Sequence, residues 1–350
     1  MTISNDDIVL DTAPLGTQWP TTDPFLFCAH HLDGYPAGDG NLRPAASLKG
    51  RNIGSDFAGI DGWNMYHGSG VPGFPQHPHR GFETVTYVRT GTIDNADSLG
   101  ATARFGEGDT QWVTAGRGIV HSEMLPLLSS SEPNPLELFQ IWLNLPAANK
   151  MVDAHFTMLW SEATPVVQSE GAAVTVITGE LGGHRPPTPP NSWAAQTDAD
   201  VAIWHVRLDA AGSVSLPPAR FAETVRTVYC FHGGGVQIGS HPLAIGNCAI
   251  VKSDRFCVLT ATDGPVECLV LQGRPIGEPV ARYGPFVMNT EAEIQQAFGY
   301  YRRTEFGGWP WPADDPTNGD SAVGRFARYP DGRYEFLGNG ESEVAQVANA

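Results

Sequence analysis

Short hydrophobic runs rich in Val, Ile, Thr and aromatic residues, each cut off within a few positions by glycine or proline, are what most limits the folds open to this chain. "FETVTYV", "DTQWVT" and "LELFQIWLNLP" are separated by turns such as "RTGTIDN" and "SLGATARFGEGD". β-Branched and aromatic side chains suit a pleated, half-buried surface, and Gly, Asn and Asp supply the turns between such runs. The same texture returns in "VAIWHVRL", "TVRTVYCF", "NCAIV", "FCVLT" and "VECLVLQ". Glycine (40) and proline (28) together fill nearly a fifth of the 350 positions, which favours many short strands joined by turns. An all-β chain follows, with seven or more short strands per unit in an antiparallel sandwich or barrel.

A chain this long exceeds one small domain, so two units with sizeable cores are expected. Three compositional zones mark them: 1–150 with the histidine motifs, 151–312 as a second strand-rich unit, and 313–350 as a polar extension. Within the extension, "RFARYPDGRYEFLG" suits a hairpin folded onto the body. One helix is signalled near the C-terminus. Thr290 and Glu293 have capping-box spacing, and Ile294, Ala297, Phe298 and Tyr301 then share one face as core packing.

The formal net charge of −17 sets up an acidic field that repels a phosphate backbone, so direct nucleic-acid binding is not expected. The N-terminus "MTISNDDIVLDTAP" lacks a basic start followed by an apolar core, and nowhere do eighteen apolar residues run together. Neither a secretion signal nor a membrane span is expected, which points to the cytoplasm. Cys28, Cys230, Cys248, Cys257 and Cys268 are odd in number and form no C-x-x-C pair. They read as buried free thiols in a reducing compartment.

Two short motifs carry chemistry. In "HPHRGFETVTYV", His77 and His79 stand at i and i+2; in "GRGIVHSEM", His121 and Glu123 do the same. Side chains two apart on a strand point the same way, so each pair can reach one ion. Neutral imidazole and carboxylate are ordinary ligands of iron, manganese, nickel, cobalt, copper and zinc. Two such pairs on neighbouring strands supply three nitrogens and one oxygen, and in an octahedral field leave two positions open, as a working site requires. Glu83 shares strand parity with His79 if the strand is unbroken, whereas Gly81 between them permits a bulge that turns it away. Spacing alone does not choose between Glu83 and Glu123. Phe82, Tyr87 and Trp112 fit either the walls of the site or the core. His30, His31 and His67 lie in the glycine-rich approach to the motif, in surface or hydrogen-bonding roles or at the mouth of a pocket. His155, His184, His205, His232 and His241 have no partner at ligand spacing.

The two halves also echo one another. Setting Glu83-Thr84-Val85 over Glu223-Thr224-Val225 places "HPHRGFETV" over "PPARFAETV": Arg80 meets Arg220, but His77 and His79 meet Pro217 and Ala219. A duplicated fold is implied, with metal in the first copy only.

The run "GFPQHPHRGFETVTYV", then "DSLGATARFGEGDTQWVTAGRGIVHSEM", and later "NLP" and "GPFVMNTEAEIQQAF", resemble the pirin family of the cupin superfamily. The resemblance implies two tandem, stacked jelly-roll β-barrels with the metal in the N-terminal one. It implies His77, His79, His121 and Glu123 as ligands, iron as the metal, and so favours Glu123 over Glu83. It further implies a quercetin 2,3-dioxygenase activity, in which O2 opens a flavonol with release of carbon monoxide. Substrate and O2 are then the partners, with Glu123 or Glu83 as the base that takes the substrate's hydroxyl proton. Pirins of eukaryotes imply an alternative, an iron-dependent redox sensor that regulates transcription through a protein partner. Two features depart from the family: a longer segment between "DPFLFCAHHLDGYP" and "WNMYHG", and the extension beyond "WPWP".

Overall fold

The computed structural model describes residues 8–319 and 323–338. The first seven residues of the N-terminal stretch, and residues 320–322 and 339–350 of the polar extension, lie outside the described part. The chain forms two compact jelly-roll units.

One unit comprises the residues up to Ala29, Ile141–Pro146 and Glu162–Glu278. Its sheet runs in the order Val9–Pro14, Asn247–Val251, Val225–Ile238, Cys257–Gly273, Ala202–Leu208, Ala172–Thr178, Val166–Ser169. "FCVLT" and "VECLVLQ", read as separate strands in the sequence, are one strand of 17 residues. It stays unbroken because its partner Val225–Ile238 bends with it, through register shifts between Cys230 and His232 and between Gly233 and Gly235. Such bulges curl a long ribbon towards a barrel. Trp204, Val206, Leu208, Val228, Cys230 and Val270 alternate along their strands into one buried core.

The other unit comprises His30–Gln140, Ala147–Ser161 and the chain from Pro279 onward. A five-stranded sheet orders His155–Leu159, Thr110–Thr114, Phe82–Thr90, Asn134–Asn144 and Phe25–Tyr35. A six-stranded sheet orders Tyr334–Gly338, Arg325–Arg328, Thr102–Gly106, Thr92–Asp97, Ile119–Met124 and Gly73–His79. Val88, Val113 and Phe156 from the first meet Ile93, Phe105 and Ile119 from the second in a shared core. The expected hairpin of the extension is present as Arg325–Arg328 with Tyr334–Gly338, added to the edge strand Thr102–Gly106.

The expected helix spans Glu291–Thr304, with a complete Thr290/Glu293 capping box. Ile294 and Ala297 are buried against Phe286 and Met288, with Phe298 and Tyr301 beside them. The long segment after Tyr35 has little regular structure and is held by Arg51. Its guanidinium donates to Asp56 Oδ2 (2.9 Å), the Trp63 carbonyl (2.9 Å) and the Ile60 carbonyl (2.6 Å), and stacks 3.4 Å from the Trp63 ring centre. All five cysteines are free and buried, as expected. Among the described residues no helix is long and apolar enough to cross a membrane.

Candidate metal centre

The two histidine motifs lie on adjacent strands because Gly73–His79 pairs antiparallel with Ile119–Met124, placing His77 directly opposite His121. A register shift between Phe74 and His77 adjusts where the first motif points. Ligand atoms of His77, His79 and His121 all fall within 4.8 Å of one another. The ring centres are 4.5–4.8 Å apart.

Burial sets the protonation of the three rings. Removal from water disfavours imidazolium, bringing His77 down to about 4 and holding His79 and His121 well below the ordinary histidine value. All three are therefore neutral near pH 7, the form that binds a metal. His77 Nδ1 lies 2.9 Å from the Pro75 carbonyl oxygen, which can only accept, so the proton sits on Nδ1 and the Nε2 lone pair is presented. Neither ring nitrogen of buried His121 has a hydrogen-bond partner. A buried imidazole with both nitrogens idle is costly unless something else uses them, and a cation between three such rings does so. The residues present thus fit a divalent first-row metal.

Glu123 is close by but outside the tight group. Its Oε2 is 3.9 Å from His121 Nε2. Thr86 Oγ1 lies 2.9 Å from Glu123 Oε1 and 2.7 Å from Gln140 Oε1, while Gln140 Nε2 donates to Glu123 Oε2 at 3.4 Å. Burial raises this carboxyl to about 7 against the lowering effect of those bonds. Glu83 is placed differently. Gly81, at φ +85°, is a corner: a Cβ there would meet the Val287 carbonyl oxygen at 1.9 Å. The chain turns at it from the six-stranded sheet into the five-stranded one, so His79 and Glu83 do not share a strand. Glu83 Oε1 instead accepts from Trp112 Nε1 (3.0 Å) and Thr114 Oγ1 (2.7 Å).

Of the aromatic candidates, Phe82 packs edge-on against His79 at 5.1 Å, Tyr87 stacks with Phe139 at 6.3 Å, and Trp112 is buried on Glu83. His30 bonds Glu137 at 2.8 Å. His31 bonds the Tyr66 hydroxyl at 2.8 Å, which in turn donates to Asp33. His67 meets Phe74 edge-on, and Phe74 meets His77 in the same way. His205 bonds Glu267 at 2.6 Å. Thr86 and Gln140, which hold Glu123, are absent from the sequence-derived set. Gln140 carried a signal, a polar residue inside the apolar run "LELFQIWLNLP".

Comparison with known proteins places the chain among relatives. The family model described as Pirin matches residues 51–143, and that described as Pirin C-terminal cupin domain matches 203–307. A protein of Pseudomonas aeruginosa named "putative quercetin 2,3-dioxygenase" is 35% identical over 236 residues, 67% of this chain and 79% of its own. Human pirin is 33% identical over 257 residues, 70% of this chain and 81% of its own. Among solved structures, a quercetin 2,3-dioxygenase from Acinetobacter baumannii superposes with a TM-score of 0.67 at 24% identity, covering 86% of this chain and 98% of that one.

Proposed function

The chain belongs to the pirin family, and from that premise we propose that it is a metal-dependent dioxygenase that opens a flavonol of the quercetin type with O2. The observation that carries the proposal is the convergence of His77, His79 and His121, three neutral imidazoles within 4.8 Å of one another, the last two buried and the first partly so, beside a carboxylate. These three and Glu123 would hold the metal, with iron as the assigned ion. Bound there, the metal supplies Lewis acidity and a template for the two substrates. A relative 35% identical carries a quercetin dioxygenase name, which supports the substrate class.

The chain's own residues supply the proton chemistry. A flavonol must lose a hydroxyl proton before it reacts, and Glu123 is the group assigned to take it at Oε2. Burial raises the Glu123 carboxyl, and a bound cation would favour its ionised form, the one that accepts a proton. Thr86 and Gln140 fix the carboxylate while the proton arrives. Glu83 has the positioning part, anchoring Trp112 and Thr114 on the adjoining sheet. Phe82 walls the side of His79.

The test is to assay purified protein for metal and incubate it with quercetin in air, following absorbance loss and carbon monoxide. Metal-dependent turnover that disappears in His121→Ala is the expected result. Bound metal without flavonol cleavage would overturn the enzyme reading and leave the redox sensor with a protein partner in its place.

A further inference from the structure

The three histidines of the metal centre are not equally covered. His79 and His121 are buried, whereas His77 keeps part of its surface in contact with solvent. A ligand that reaches the centre therefore comes in past His77. Phe74, on the same strand, is also only partly buried, and its ring meets that of His77 at 6.4 Å.

From Phe74 the ring contacts continue outward. His67 meets Phe74 edge-on at 5.8 Å and is exposed. Phe57 in turn meets His67 at 5.1 Å and Tyr66 at 5.4 Å, and is 55% exposed. A single exposed phenylalanine is ordinary on a protein surface. This one heads a run of rings, Phe57, His67, Phe74 and His77, whose outer two members are exposed and whose inner two are partly buried. All four belong to one compact unit.

The outer members are held in place before any ligand arrives. Phe57 follows Asp56, whose Oδ2 accepts from Arg51 Nη1 and from the Met65 N–H, both at 2.9 Å. Asp56 and Tyr66 exchange both backbone hydrogen bonds, and Tyr66 stacks on Phe74 at 4.9 Å. The His67 backbone N–H donates to the Gly73 carbonyl at 3.0 Å. Its Nδ1 lies 2.7 Å from the Gly54 carbonyl oxygen, which can only accept. In the neutral ring the proton therefore sits on Nδ1, and the exposed side chain presents its Nε2 lone pair. Gly54 and Phe57 lie in the segment between "DPFLFCAHHLDGYP" and "WNMYHG", where this chain departs from its family.

We infer that Phe57 and His67 select the substrate at the mouth of the metal centre: the remote phenyl ring of a flavonol lies along Phe74 and Phe57, and a hydroxyl on that ring donates to His67 Nε2. Fixed aromatic walls suit a flat ring, and a phenolic O–H is a fitting donor for an imidazole lone pair. Preorganisation of both residues lowers the cost of binding. The inference rests on the flavonol reading of the centre and narrows its substrates to flavonols hydroxylated on the remote ring.

The test is calorimetric titration of iron-loaded, full-length protein, without O2, using quercetin and galangin, a flavonol with no hydroxyl on the remote ring. In the absence of O2 neither is opened, so affinity is read apart from turnover. Quercetin is expected to bind about fivefold more tightly than galangin, the worth of one hydrogen bond. His67→Phe keeps a ring but removes the acceptor, and is expected to bring quercetin to the galangin affinity while leaving galangin unchanged. Phe57→Ala is expected to weaken both flavonols about fivefold and to preserve their ratio. Both variants are expected to hold the parental amount of iron. Equal affinity of the two flavonols for the parent, a preference that survives His67→Phe, or parental affinities in Phe57→Ala would each overturn this inference and leave the dioxygenase reading standing. Iron-loaded protein that binds neither flavonol would overturn both.

Discussion

The two barrels have the same kind of frame and opposite interiors. In one, His77 lies across from His121 with His79 beside them, and Thr86 and Gln140 steady Glu123. In the other, Pro217 and Ala219 replace the first two histidines, and Arg226 with Gln272 replaces the pair that steadies the carboxylate. A cation is not held beside a buried guanidinium at ordinary cost, so the second barrel differs in two ways that both disfavour a metal: it lacks the paired histidines and it carries a positive charge in its interior. A duplicated β-barrel keeps its fold because alternation and turns specify it, whereas a handful of interior polar residues decide what it binds.

The contrast can be broken most sharply at Glu123. Glu123→Ala is expected to lower flavonol turnover by about 10²–10⁴-fold, the range for a lost general base, in a steady-state assay of metal-loaded protein. Thr86→Val removes the hydroxyl beside Glu123 and is expected to cost about 10–100-fold in metal affinity or activity, as measured by competition with a chelator. A smaller effect separates Glu83 from its counterpart Glu223, which is exposed. Glu83→Ala leaves the buried Trp112 and Thr114 donors without this acceptor and should cost about 1–3 kcal/mol for each in denaturant unfolding. Glu223→Ala should stay within about 0.5 kcal/mol of the parent. Last, Pro217→His with Ala219→His should add no second metal equivalent while Arg226 remains. A second equivalent in that double variant would show that the missing histidines alone account for the difference.

Much of this was legible in local sequence because the causes are local. Glycine and proline spacing gave the strand texture, Thr290 and Glu293 marked the helix start, and the i, i+2 histidines marked the centre. What was not legible depends on distant pairing. Thr86 and Gln140 reach Glu123 from two other strands, and although Gln140 stands out as a polar residue in an apolar run, neither segment announces its partner. Spacing left the orientation of Glu83 open, and although Gly81 marked a possible break, that the chain turns there into another sheet is a tertiary event an alternation count does not reach. The joining of "FCVLT" to "VECLVLQ" likewise rests on a partner strand that bends alongside it. Each terminal segment also builds a unit remote in sequence: Val9–Pro14 pairs with Asn247–Val251, and Arg325–Arg328 with Thr102–Gly106. Strand pairing of that range has no signature in either segment alone.

The central claim is that three imidazoles of one barrel, and nothing in the other, hold a metal. Elemental analysis of dialysed full-length protein beside His121→Ala tests it most directly. The account predicts about one first-row metal ion per chain in the parent protein and none above background in the variant. Metal retained at the parental level in folded His121→Ala, or a parent protein that takes up no ion when offered iron, would contradict it.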